Sequence, residues 1–112
     1  MVAAIEYAET QGNCSLKGRS GEKGCLQYLA STWAAHSKEI LGEVRDMSPE
    51  VERYVAVKMV QKWLDQGYTM RDVAQIWNSG RAGKCRKGTN RLGVEYDSCA
   101  YEERVLAQLN KR

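Results

Sequence analysis

The stretch Ile5-Glu6-Tyr7-Ala8-Glu9-Thr10-Gln11-Gly12-Asn13 and the segment that follows it, Gly24-Cys25-Leu26-Gln27-Tyr28-Leu29-Ala30-Ser31-Thr32-Trp33, decide how this chain is read. Val2, Ala3, Ala4, Ile5, Tyr7 and Ala8 predict a short apolar helix, and Gly12 offers a left-handed residue to stop it. Glu9 then falls in the last turn. There the carbonyl end of the helix dipole disfavours a negative charge, and burial against apolar neighbours acts in the same direction. A carboxyl so placed has the raised pKa that general-acid chemistry near neutral pH requires. Glu6 lies one turn earlier on nearly the same face, and periodicity does not choose between the two.

Outward from this stretch the chain reads as mainly α. Residues 13 to 24 carry Gly18, Gly21 and Gly24 among Ser and Lys, which predicts a loop or short hairpin after the opening helix. Leu26, Leu29, Trp33 and Ala34 recur at helical spacing and predict a helix over 26 to 37. Ser48 as N-cap, Pro49 in the first turn and Glu50 after it open the best-marked helix, whose apolar stripe is Val51, Val55, Met59 and Trp63, widened by Val60 and Leu64. Gly67 ends it. Thr69 caps the next helix, with Asp72 in its first turn, and that helix carries Val73, Ile76 and Trp77. Gly80, Gly83, Gly88 and Gly93 predict loop from 80 to 98, and a last helix runs from about Ala100 to Leu109. Met59, Trp63 and Trp33 are assigned to the core, and His36 to a surface or boundary position without chemistry.

Composition bounds the possibilities. At 112 residues there is room for one domain with one modest core, and a 43% hydrophobic content excludes disorder as the default. No apolar run approaches the roughly 20 residues of a membrane span. The start shows no basic n-region, and Glu6 and Glu9 interrupt any signal-like apolar run. Net charge is +3, too mild to name a partner. Its cations gather at Arg81, Lys84, Arg86, Lys87 and Arg91, in a Gly-rich loop and not along one exposed helix, which argues against a nucleic-acid binder. Cys14, Cys25, Cys85 and Cys99 form no C-x-x-C pair and have no nearby histidine, so no metal site and no cofactor is expected. Disulfides in an oxidising compartment are the better reading. Three pairings are possible. The preferred one joins Cys14 to Cys25, tying the loop after Glu9 to the returning segment, and Cys85 to Cys99, closing the basic loop.

Glu9-Thr10-Gln11-Gly12-Asn13 resembles the E-S-x-G-N element of the lytic transglycosylase and goose-type lysozyme families. Gly24-Cys25-Leu26-Gln27 resembles their G-L-M-Q, and Ser31-Thr32-Trp33 their following S-T-W. Ile76-Trp77-Asn78-Ser79-Gly80 is similar to A-Y-N-A-G, and Tyr101-Glu102-Glu103-Arg104-Val105-Leu106 to the closing Y-V-x-x-V-L helix. The similarities run in family order across residues 5 to 106. The departures are Cys25 for Leu, Leu26 for Met, Ala30 for Pro, Trp77 for Tyr, Ser79 for Ala, and Lys58 where many members carry a Tyr. The helix that normally precedes the catalytic one is not seen ahead of Met1-Val2-Ala3.

The resemblance implies a single lysozyme-like domain over 1–112, monomeric and extracytoplasmic, that cleaves the glycan strands of peptidoglycan. It implies Glu9 as the catalytic acid and base, with Thr10, Gln27, Tyr28, Trp77, Asn78 and Tyr101 around the substrate. Transglycosylases need one carboxyl; hydrolytic relatives position a water with a second acid, for which Glu22 is the candidate and Asp97 a more distant one. The alternative from another class is a wall-binding module that keeps the cleft without turnover.

Overall fold

A computed structural model describes residues 1–18, 21–89 and 91–110. Five helices dominate: α1 (Val2–Thr10), α2 (Ala30–Leu41), α3 (Pro49–Asp65), α4 (Met70–Ser79) and α5 (Ser98–Leu109), with a two-stranded hairpin, β1 (Lys87–Thr89) and β2 (Glu95–Asp97), between α4 and α5. α5 packs against both α1 and α4, and α3 against α1, α2 and α4. Ile5, Leu26, Val55, Val73 and Val105 are fully buried where these elements meet. None of the helices is long and apolar enough to cross a membrane.

Local chemistry explains most of the helix ends. The Ser48 side chain accepts from the Val51 amide at 3.3 Å, with Pro49 at the first position, where its missing N–H is not needed. Thr69 and Asp72 form a reciprocal capping box: the Thr69 hydroxyl accepts from Asp72 N–H and the Asp72 carboxylate from Thr69 N–H. Asp97 caps α5 by accepting from the amides of Cys99 and Ala100.

Three expectations are corrected. α1 is stopped one residue before the expected Gly12: Gln11 already takes φ 53°, and Gly12 follows at φ 87°. The helix expected over 26–37 begins only at Ala30, because Leu26 and Leu29 belong to a non-helical return, in which Leu26 is buried for a reason described below and Leu29 is exposed. Residues 80–98 are not all loop. Lys87 pairs with Asp97, Gly88 with Tyr96 and Thr89 with Glu95 in an antiparallel ladder whose residues are all exposed.

Both disulfides join the preferred partners, Cys14 to Cys25 and Cys85 to Cys99. The first ties the turn after α1 to the return; the second closes the base of the hairpin, where Ser98 N–H also donates to the Arg86 carbonyl at 2.8 Å. Between α1 and α2 the chain makes isolated bridges from Lys23 to Lys17 and to Tyr28, a loop with hairpin character.

Candidate active site

The two carboxyls of α1 have opposite fates. Glu6 makes a two-pronged ion pair with Arg53 of α3, at 2.8 and 2.9 Å, and the guanidinium holds its pKa below the usual carboxylate value. Glu9, one turn on, lines an open cleft of about 1050 Å³. Loss of water raises its pKa from 4.5 to about 7, and the charge of Glu22 adds to the rise. Tyr101 and Arg104, one turn apart on α5, pull the other way without cancelling it. The choice that periodicity leaves open is thus made by partners: one acid is held ionised, the other is poised to carry a proton near neutrality.

Tyr101 is 2% exposed, and its hydroxyl faces Glu9 closely enough for each to shift the other. It completes no hydrogen bond of good geometry and is the one buried side-chain polar atom among the described residues left unsatisfied. Such a group costs on the order of 1–3 kcal/mol unless a ligand or water satisfies it. Beside it, Arg104 packs its guanidinium 5.7 Å from the Tyr101 ring centre.

From the return, Gly24 to Leu29, the residues Gln27, Tyr28 and Leu29 line the same cleft. Gln27 sits there in a left-handed conformation, φ 55°, uncommon for a residue with a side chain. Its amide nitrogen donates to the carbonyls of Gly24 (2.9 Å) and Leu16 (3.0 Å). Glu22 lines the same cleft. A Cβ at Gly18 would come within 2.7 Å of the Glu22 carboxyl and 2.8 Å of the Gln27 side-chain oxygen, so the absence of a side chain at Gly18 lets these two groups lie together.

The floor is aromatic. Tyr28, 4% exposed, meets Trp33, His36 and Trp77 edge to face at 5.2, 5.3 and 5.0 Å. Its hydroxyl shares a 2.9 Å hydrogen bond with His36 Nδ1. Burial raises the Tyr28 pKa and lowers that of His36, so both are neutral near pH 7. Trp63 extends the surface, 6.2 Å from Trp77 and 5.6 Å from His36.

Of the residues expected around a substrate, Glu9, Glu22, Gln27, Tyr28, Trp77, Asn78 and Tyr101 all line this one cleft. Thr10 does not: it is 4% exposed, and its hydroxyl is committed to the Cys25 carbonyl at 2.8 Å. Asp97 lines the cleft but is engaged as the α5 cap and lies 3.8 Å from Lys87. Lys58 lies on the exposed face of α3, over the Tyr54 ring, outside the cleft. Several lining residues escape the sequence reading, Arg104, Thr32 and Tyr96 among them, and two more stand at the aromatic surface. Trp63, assigned to the core, is half-buried and faces the cleft; His36, given no chemistry, is bonded into its floor. The sequence signal for Trp63 is its place on an apolar stripe, which is the same for a core face and a cleft face. Glu6, Cys14 and Cys25 cluster as potential metal ligands, but the two sulfurs are bonded to each other.

No protein-family model, curated protein or solved structure matches this chain.

Proposed function

We propose that this protein is a lysozyme-like glycosidase that cleaves the β-1,4 bond between N-acetylmuramic acid and N-acetylglucosamine in peptidoglycan, most simply as a lytic transglycosylase. One observation carries the reading: Glu9 lines a cleft with its pKa at about 7, and amides and aromatic rings of the kind that hold a sugar line the same cleft. The sequence similarities to the transglycosylase motifs fall on the same residues.

In this mechanism Glu9 enters protonated and gives its hydrogen to the glycosidic oxygen as the C1–O bond breaks, with the GlcNAc O4 leaving as an alcohol. The substrate's own N-acetyl oxygen closes on C1 and carries the positive charge. Glu9, now a carboxylate, takes the proton of the muramoyl C6 hydroxyl, whose oxygen displaces the N-acetyl group from C1 and leaves a 1,6-anhydro end. The Glu9 proton is restored. The unsatisfied Tyr101 hydroxyl is available to hydrogen-bond Glu9 or the sugar during these steps. A hydrolytic course is favoured by one feature, Glu22 in the same cleft, which could direct a water onto C1. Two disulfides fit an oxidising, extracytoplasmic setting and hence a wall substrate.

The test is mass spectrometry of material released from purified walls. Anhydro-muramoyl ends support the transglycosylase, and reducing ends the hydrolase. Glu9→Gln should lower release by at least about 10³-fold with the circular dichroism spectrum unchanged. Intact walls with the folded wild type, bound but uncut, would leave only the binding module.

A further inference from the structure

Glu52 has no place in the chemistry above, yet it is among the most buried charged side chains of the molecule, 1% exposed on α3. Its two carboxylate oxygens accept from consecutive backbone amides of the return, Cys25 at 3.0 Å and Leu26 at 2.7 Å. Desolvation raises its pKa while these two amides oppose the rise. The charged neighbours acting on it are Glu6 of α1 and Arg53 of α3. Burying a carboxylate is costly, and a well-packed apolar side chain would be the cheaper way to fill the space. What an apolar group could not do is fix the direction of two peptide units.

The carbonyls around these amides are also committed: within the two held peptide units, that of Gly24 accepts from the Gln27 side-chain amide at 2.9 Å and that of Cys25 from Thr10, while the Leu26 carbonyl belongs to the next unit along. The Cys25 carbonyl accepts from Thr10 of α1, at the end of the helix that carries Glu9, and the Leu26 carbonyl accepts from the Trp77 indole N–H of α4 at 3.1 Å. Gly24 shows how closely the carboxylate is fitted: a Cβ there would lie 2.7 Å from both oxygens, at φ +86°. Immediately after the held amides comes Gln27 in its left-handed conformation.

We infer that Glu52 is a positioning residue for the cleft: by holding the Cys25 and Leu26 amides it sets the directions of the Gln27 amide and the Trp77 ring, which face the ligand from two different elements. The inference rests on the proposed glycosidase for its effect on turnover, but the geometry it claims is measurable without activity. A Glu52→Gln amide presents an N–H₂ to one of the two backbone donors and breaks one end of the relay.

In a ¹⁵N-labelled Glu52→Gln protein, the Trp77 indole resonance and the Gln27 side-chain amide resonances should shift. The Trp33 indole, held separately by the Arg45 carbonyl at 2.7 Å, should stay in place. Turnover should fall roughly 100-fold, as for a displacement of about 1 Å at a reacting centre. The pH at which activity declines should not move, since Glu9 is untouched. Unchanged Trp77 and Gln27 signals, or full turnover, would overturn the inference. If the variant does not fold, the wild type carries the same test: when Glu52 titrates, the Cys25 and Leu26 amides and the Trp77 indole should move with one midpoint. A flat Trp77 indole while the Leu26 amide titrates overturns it equally. A wild type that cuts no walls defeats the glycosidase reading and leaves the resonance test standing.

Discussion

At the scale of single residues, the proposed chemistry turns on Glu9 and the three charges and dipoles around it. A general acid with a pKa of about 7 is mostly protonated below that pH and mostly ionised above it, so activity should fall as pH rises through about 7. Glu22 raises that pKa by like-charge repulsion and Arg104 lowers it by attraction. Glu22→Gln should therefore move the alkaline limb of the pH–rate profile to lower pH, and Arg104→Ala should move it higher. Shifts of the same sign in both variants would mean that Glu9 is not the titrating group. The Glu6/Glu9 choice shows where single-sequence reading stops. Both acids share a helix face, and what separates them is Arg53, which lies 47 positions from Glu6 and reaches it only in the folded state.

At the scale of elements, what could be read from the sequence was what is set within a few residues. Ser48-Pro49-Glu50 and Thr69 with Asp72 announce α3 and α4 because a cap and its partner lie within one turn. Thr69→Ala removes one half of a reciprocal pair and should cost about 1 kcal/mol in chemical denaturation, with the slope unchanged. Elements stabilised from a distance were missed. The β1–β2 hairpin has no buried face and so no alternation to read; it is held by Cys85–Cys99 and the Arg86–Ser98 pairing at its base. The return at Leu26 mimics helical spacing, but Leu26 is buried because Glu52, Thr10 and Trp77 pin the backbone from three helices, while Leu29 stays exposed. Trp63 was assigned to the core because a stripe of period 3.6 looks alike whether it faces a core or a groove, whereas His36 does lie at the boundary expected of it.

At the scale of the whole molecule, a small helical core is reinforced by two covalent ties, each closing a short stretch of chain: the sequence separations are 11 and 14. Replacing both Cys85 and Cys99 by Ser should lower stability by about 3 kcal/mol in denaturant. It should also reduce activity, because Arg86, Thr89 and Tyr96 of this region line the cleft. A double variant as stable as the wild type would show that the hairpin stands without its tie.

The packing of α1 against α5 has a consequence for how the protein is made. Glu9 emerges from the ribosome well before Tyr101 and Arg104 of the helix that packs on α1. Until α5 docks, Glu9 lacks Tyr101 and Arg104, the two neighbours that temper its pKa and line the same cleft. On the proposed reading, a chain halted before α5 carries the acid without the side of the groove that would hold a sugar against it.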